Sequence, residues 1–339
     1  MENEGKYFLL YANCILVKGG KKVLIYDLQY GRARFIPNLL YDILVTARKS
    51  TLNEIKNKYL NVDGNEIELI FKELKADSWG FFTKFPEQFP ELNMSFEISG
   101  QITNAIIDID DFREQPIPKI IKELNNLGCK ALELRFYTPI LISELQTILK
   151  HTLETRLKTI IIYLNYHRSF TYNGTKKIQN LFPRVKSIIL YNAPKRKKIS
   201  DKTKSYYIEF LEEEIKPDID CGLVNEDYFT INYQFFLESF NYNNCLYKKI
   251  SIDRRGYIKN CPSMTKHYGN IKETSLSSIV AKKEFQELWY IKKTDINVCK
   301  NCEFRYMCQD CRVFIEDKTD KFSKPSKCSY NPTIENLKQ

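Results

Sequence analysis

"TNAIIDIDDFREQPIPKIIKELNNLGCKALELRFY", residues 103–137, reads as strand, helix, strand. The apolar run "TNAIIDID" (103–110) gives way to "IPKIIKELNNLG" (117–128), which has helical periodicity, and then to "ALELRFY" (131–137). Two further runs, "TIIIYLN" (159–165) and "SIILYNA" (187–193), keep the same 28-residue interval between starts. "LISELQTILKHTL" (141–153) fills the second gap with helical periodicity. Serial βα units of this kind make a parallel sheet with right-handed crossovers. "SYYIEFL" (205–211) and "CGLV" (221–224) are further strand candidates. Five or six units would form a partial barrel over residues 100–240, because the closed eight-strand form needs more chain.

Before this repeat, residues 1–90 read as a β-then-α unit. Gly19-Gly20 and Gly31 split "YFLLYANCILVKGGKKVLIYDLQYGRARFIP" into two or three short strands. Leu40, Ile43, Leu44 and Ala47 then form one helical stripe. Ser50 or Thr51 can cap a second helix, with Glu54 at capping-box distance from Thr51. A third opens at Asn65, with Ile67, Ile70, Phe71 and Leu74 on one face. Strands followed by three helices suggest a winged-helix-like unit. Trp79, Phe81 and Phe82 read as core, and "KFPEQFPELN" (84–93) as a linker.

Composition narrows the class. The chain has 339 residues, 43% hydrophobic and 28% charged, as in globular proteins. The acidic start "MENEGKYFLL" is no signal peptide, and no apolar run is long enough to span a membrane. A cytoplasmic location is expected, where ten cysteines would not pair as disulfides. Net charge is +10, but 42 acidic residues are mixed with 52 basic ones, so nucleic acid is not the expected partner. The densest basic run, "KRKK" (195–198), reads as a solvated loop after a strand.

Residues 241–335 hold seven of the ten cysteines. Their pattern is Cys245-x10-Gly256-x4-Cys261, a gap of 37, Cys299-x2-Cys302-x5-Cys308-x2-Cys311, a second gap, and Cys328. Thiolates suit zinc or iron–sulfur clusters, and a C-x2-C pair turns both sulfurs toward one centre. Two such pairs could hold one structural zinc, but that leaves Cys245, Cys261 and Cys328 without a task. Seven thiols exceed one tetrahedral site and suit two cofactors. A unit so rich in cysteine and poor in core needs such a staple. "KKISIDRRGYIKN" reads as a hairpin turning at Arg254-Arg255-Gly256, and residues 275–293 as a helix.

This pattern resembles the SPASM domain, which binds auxiliary [4Fe–4S] clusters in radical SAM peptide-modifying enzymes. It departs in the last short spacing, which is x2 where the family has x3. The resemblance implies that Cys299, Cys302, Cys308 and Cys328 hold one cluster, and Cys245, Cys261 and Cys311 the other. The fourth site of the second cluster would be open, or filled by Asp310 or Asp253. Radical SAM enzymes carry a further cluster on C-x3-C-x2-C after the first barrel strand. Here that loop, "DIDDFREQPIPKI", has no cysteine, and Cys129 lies beyond the next helix. In "RFYTPIL" (135–141) only Pro139 remains of the Gly-Gly-Glu-Pro-like stretch. SAM is therefore not an expected cofactor. Cys14, Cys129 and Cys221 read as buried structural cysteines.

Together with "CEFRYMCQDCR" (302–312), these features are similar to the SPASM-domain peptide maturases of grasp-with-spasm systems, which modify ribosomally synthesised peptides. The fold class implied is α/β: a winged-helix-like RiPP recognition element, a degenerate radical SAM-like partial βα barrel, and a C-terminal SPASM domain. The partners implied are a precursor peptide and an ATP-grasp ligase. The precursor would add a strand between Tyr30–Phe35 and the helix at Glu66–Lys75. The alternative from the residues themselves is a zinc-stapled basic adaptor for protein or nucleic acid. Whether the chain is itself an enzyme is left open. His151, His167 and His267 have no metal spacing, and there is no Gly-rich phosphate loop. Asp108, Asp110 and Asp111 stand at the carboxyl end of a strand and read as loop caps.

Overall fold

In the computed structural model the 28-residue repeat becomes an eight-stranded, mostly parallel sheet. The structure describes residue 3 and residues 5–201, 206–214 and 221–334, so Ser205 and Glu335 of the expected segments lie outside the described residues. The chain packs as two units, each assembled from separate stretches: unit 1 is 1–96, 222–244 and 291–339, and unit 2 is 97–221 and 245–290.

Unit 1 begins with β1 (Tyr7–Leu10), β2 (Cys14–Lys18), β3 (Val23–Asp27) and β4 (Arg32–Ile36). Helices α1 (Asn38–Ala47), α2 (Leu52–Lys58) and α3 (Gly64–Ala76) follow, then β5 (Gly80–Thr83), which pairs antiparallel with β1. Strands β2, β3 and β4 form an antiparallel meander in that order. Every residue of β3 is buried: "VLIY" is apolar on both faces and both are covered, and Asp27 is buried on its partners Asn13 and Arg32. Val23 and Ile25 join the helical core with Ile43, Ile55 and Phe71. Leu24 and Tyr26 face the other way, onto Phe236, Leu237, Tyr306 and Met307.

The expected caps form. Thr51 Oγ1 accepts from the Glu54 N–H, and Glu54 Oε2 from the Thr51 N–H at 2.7 Å. The third helix starts slightly earlier than expected: Asp63 is its cap, its carboxylate accepting from the Asn65 N–H at 2.8 Å. Trp79 is buried, and Phe82 packs edge-on to Phe8, as core residues should.

Unit 2 contains β6 (Asn104–Ile109), α4 (Ile117–Asn126), β7 (Ala131–Phe136), α5 (Ile142–Lys150), β8 (Thr159–Asn165), α6 (Tyr172–Leu181) and β9 (Val185–Tyr191). Then come β10 (Lys197–Asp201) and β11 (Tyr206–Phe210). Unit 1 takes back α7 (Tyr233–Asn241). Unit 2 ends with β12 (Lys249–Ile252), β13 (Ile258–Lys259), α8 (Leu276–Val280) and α9 (Lys283–Gln286). The sheet order is β10-β11-β9-β8-β7-β6-β12-β13, parallel except at its two edge strands.

Three expectations change and one helix is new. Residues 221–224 are turn and irregular chain rather than a strand. The basic run at 195–198 is not wholly a loop, since Lys197 and Lys198 belong to β10 and pair with Phe210 and Glu209. Residues 172–181, unread in the sequence, form α6 on a Thr171 cap. The stretch 275–293 breaks into short helices at Lys282, whose backbone is extended. Side chains take the carbonyls there: Gln286 donates to Val280 at 2.8 Å and Asn260 to Phe285 at 2.9 Å. The hairpin at Asp253–Gly256 forms, with Gly256 at φ +83, a value that disfavours any residue with a Cβ.

Burial on α7 pushes the Glu238 carboxyl up to about 7. A carboxyl raised by folding is held protonated in the native state while the unfolded chain has already ionised, so stability falls as pH rises from the unfolded value toward 7. Glu238→Gln should therefore flatten the stability profile between about pH 4.5 and pH 7 and stabilise the protein at pH 8 by about 2 kcal/mol. Urea titrations across that range check this.

Candidate metal centre

In unit 1, Cys299, Cys302, Cys308 and Cys328 line one cavity of about 520 Å³, together with Lys293 and apolar groups such as Phe304. Local hydrogen bonding explains the convergence. Cys299 opens a tight turn, and the Cys302 N–H donates back to its carbonyl at 2.9 Å, so the x2 spacing turns the chain on itself. The N–H groups of Met307 and Cys308 both donate to the Phe304 carbonyl, which returns the third thiol to the same wall. The Tyr26 hydroxyl donates to the Glu303 carbonyl at 2.6 Å and ties this loop to β3. Cys328 arrives after Pro325, its carbonyl held by Lys324 Nζ at 3.0 Å.

Three of these thiols are raised above the ordinary cysteine range. Burial pushes Cys299 up to about 11, with Lys293 working against it, and burial also raises Cys302 and Cys308. Loading a metal must displace these protons, and the cation already present eases that cost. Lys293 is only 3% exposed, with Nζ 3.7 Å from Cys308 Sγ and 3.6 Å from Asp310 Oδ1. Asp310 also pairs with Arg312 at 2.7 Å and accepts from Asn243 at 2.6 Å. Its carboxylate is thus the hub of a buried ion-pair network.

Cys311 is buried off that cavity. Its sulfur accepts from the Phe314 N–H at 3.5 Å, and a Cβ on Gly222 would lie 2.8 Å from it. Gly222 has φ +74, so both conformation and space demand glycine at that position.

In unit 2, Cys245 and Cys261 share the surroundings of Lys249 on β12. Burial disfavours that ammonium, but Cys245, Cys261, Glu133 and Cys221 outweigh it and raise its pKa. The Cys221 thiol donates a hydrogen bond to Cys261, whose own pKa is lowered by that bond against burial, with help from Lys249. Cys221 is therefore not the inert buried cysteine that the sequence suggests: it is half-buried and in contact with an expected ligand. Cys14 and Cys129 do match that description. Both are buried and pushed up to about 12 by burial. Cys129 also precedes the amino end of β7, at the opposite sheet edge from the β6–α4 loop.

Asp253 is committed elsewhere. Its Oδ1 accepts from the N–H groups of Arg255 and Tyr257, and its Oδ2 pairs with Lys259 at 2.8 Å. With Asp108, Asp110, Tyr137 and Arg254 it borders a polar cavity of about 430 Å³ at the carboxyl ends of the strands. Burial pushes Asp108 up to about 7, with Arg135 working against it. Asp111 caps its own loop through the Arg113 N–H at 2.9 Å. Lys293, Lys249 and Cys221 had no sequence signal, since only the tertiary fold sets them among the thiols.

No curated protein matches the chain. Among solved structures, Streptococcus suis SuiB bound to S-adenosylmethionine aligns with TM-score 0.44 and 11% identity, covering 95% of this chain and 100% of that one. SuiB bound to precursor peptide SuiA aligns with TM-score 0.41 and 10% identity, over 95% and 100%. The stretch 244–303 matches the family model of SPASM, an iron–sulfur cluster-binding domain.

Proposed function

We propose that this chain is an iron–sulfur protein of ribosomal-peptide maturation of the grasp-with-spasm kind. In this reading residues 1–90 bind a precursor peptide, the seven cysteines hold two [4Fe–4S] clusters, and an ATP-grasp ligase supplies the ATP chemistry. The observation that carries it is the convergence of Cys299, Cys302, Cys308 and Cys328 on one cavity of about 520 Å³. Four thiolates around one zinc would stand only about 3.8 Å apart. A cavity of that volume bordered by four cysteines has room for a body of several atoms. When bound, such a cluster supplies one-electron chemistry and a staple for a segment with little core of its own.

The peptide-binding part is supported by exposed apolar groups. Strand β4 is an outer strand of its meander, with Tyr30 66% and Phe35 48% exposed beside it, and Leu69 on α3 is 56% exposed. An outer strand offers backbone pairing, and flanking side chains supply specificity.

Anaerobic purification with iron, sulfide and zinc analysis tests the cluster part. About eight iron and eight sulfide per chain are expected, with absorption bleached by dithionite. Zinc in place of iron would overturn it in favour of a zinc-stapled adaptor. Fluorescence anisotropy with the precursor tests the other part. The double variant Phe35→Ala, Leu69→Asp should weaken binding by about tenfold or more. A protein that binds neither precursor nor ligase would refute this function.

A further inference from the structure

We propose that the polar cavity of unit 2 binds a small organic cation of the alkylammonium class, with Asp108 as its counter-charge. No cysteine borders this cavity of about 430 Å³, so the assignment stands apart from the iron–sulfur reading. Asp108 is the last residue but one of β6, and its side chain, 9% exposed, lies on the cavity's border. Its Oδ1 is buried with no hydrogen-bond partner among the described residues. A buried acceptor left without a donor costs stability, and more so when it carries charge. Arg135, opposite Asp108 in the β6–β7 pairing, does not fill the need. Its Nη1 stands 3.9 Å from that oxygen, beyond hydrogen-bond reach, and its Nε is spent on Glu133 at 2.5 Å.

The other charges at the cavity need nothing further. Lys259 pairs with Asp253 at 2.8 Å. Arg254 pairs with Asp110 at 3.4 Å and lies over the Tyr137 ring. Arg255 is exposed, and water serves it. The buried group short of a donor is therefore an anion, and its complement is a cation. The frame is fixed before a ligand arrives: Gln115 Nε2 donates to the carbonyls of Asp108 and Asp253 at 3.0 Å each, tying the end of β6 to the β12–β13 hairpin. Tyr137 and Pro262 supply apolar surface for an alkyl stem to cover.

Calorimetric titration of the full chain tests this with N-acetyl-lysine amide and with N-acetyl-norleucine amide, which has the same stem without the ammonium. The lysine compound should bind at least about tenfold more tightly. Asp108→Asn keeps the shape and removes the charge, and should weaken that binding at least about tenfold. Asp111→Asn, in a residue that caps its own loop through the Arg113 N–H, should match the wild type. Hydrogen exchange on the wild type needs no variant to fold. The lysine compound should slow exchange in residues 108–115 and 253–257, which Gln115 joins. Equal binding of the two compounds, or none, overturns the assignment, as does an Asp108→Asn protein that binds like the wild type. Slowed exchange confined to other segments overturns it too. Binding of S-adenosylmethionine by a chain that takes up neither compound would do the same and make the cavity a site for that cofactor.

Discussion

Cys308→Ser should cut iron and sulfide to about half of the wild-type content and lower the thermal midpoint of the chain. Cys308 is central to the cavity of unit 1, 8% exposed and 3.7 Å from Lys293 Nζ. A serine oxygen is a harder and weaker ligand for iron than a thiolate. The remaining wall, Cys299, Cys302 and Cys328, would then hold an incomplete cluster, and Lys293 would keep Asp310 but lose its thiol partner. The segment 291–334 has only short 3-10 turns, so losing its staple costs fold as well as cofactor. Cys14→Ser, in the core of the N-terminal helices, is the matched control and should keep full iron. Iron assay and calorimetry on the two proteins, purified anaerobically side by side, decide the matter. Equal iron in both would mean that the cavity holds no cluster.

Asp310→Ala should destabilise the protein by about 3–5 kcal/mol while leaving the number of clusters unchanged. Asp310 is 1% exposed and flanked in sequence by Cys308 and Cys311. Removing its carboxylate takes the shared counter-charge from two buried cations, Arg312 at 2.7 Å and Lys293 at 3.6 Å, and removes one of the two acceptors of the Asn243 amide, which keeps the Ile291 carbonyl at 3.0 Å. A buried charge that loses its partner costs far more than the pair was worth. Asp310→Asn, which keeps an acceptor for Asn243, should lose less. Urea unfolding gives the stability and iron analysis the cluster count. A variant of wild-type stability with altered cluster signals would make Asp310 a ligand instead of an ion-pair hub.

What the sequence disclosed follows from how each interaction is encoded. Strands β6 and β9 were legible because strands buried on both faces are nearly continuous apolar runs, β7 and β8 because every second residue is an apolar, buried one, and all four because their interval is constant. The convergence of Cys299, Cys302 and Cys308 was legible because close spacings dictate turns. Strand β10 was not, since its lysines owe their extended form to pairing with β11, which no local preference announces. Helix α7 was missed because its face of Phe236 and Leu237 acquires meaning only against Tyr26 and Tyr306. Cys221 was read as inert for the same reason: its partner Cys261 is 40 residues away, and only the fold supplies the meeting.

Unit 1 also sets a timetable for synthesis. The Tyr26 hydroxyl waits for the Glu303 carbonyl, 277 residues later. At roughly 5–20 residues per second, that interval on the ribosome is on the order of tens of seconds. Throughout it, the face of the meander carrying Val17, Leu24 and Leu28 has no Tyr306 or Met307 to cover it, and for most of it no Phe236 either. A nascent chain exposed for so long is a natural client for chaperones. Cluster insertion into the 299–328 cavity must wait longer still, until Cys328 has been made. Fragments ending before residue 304 should accordingly aggregate rather than fold as a soluble N-terminal half.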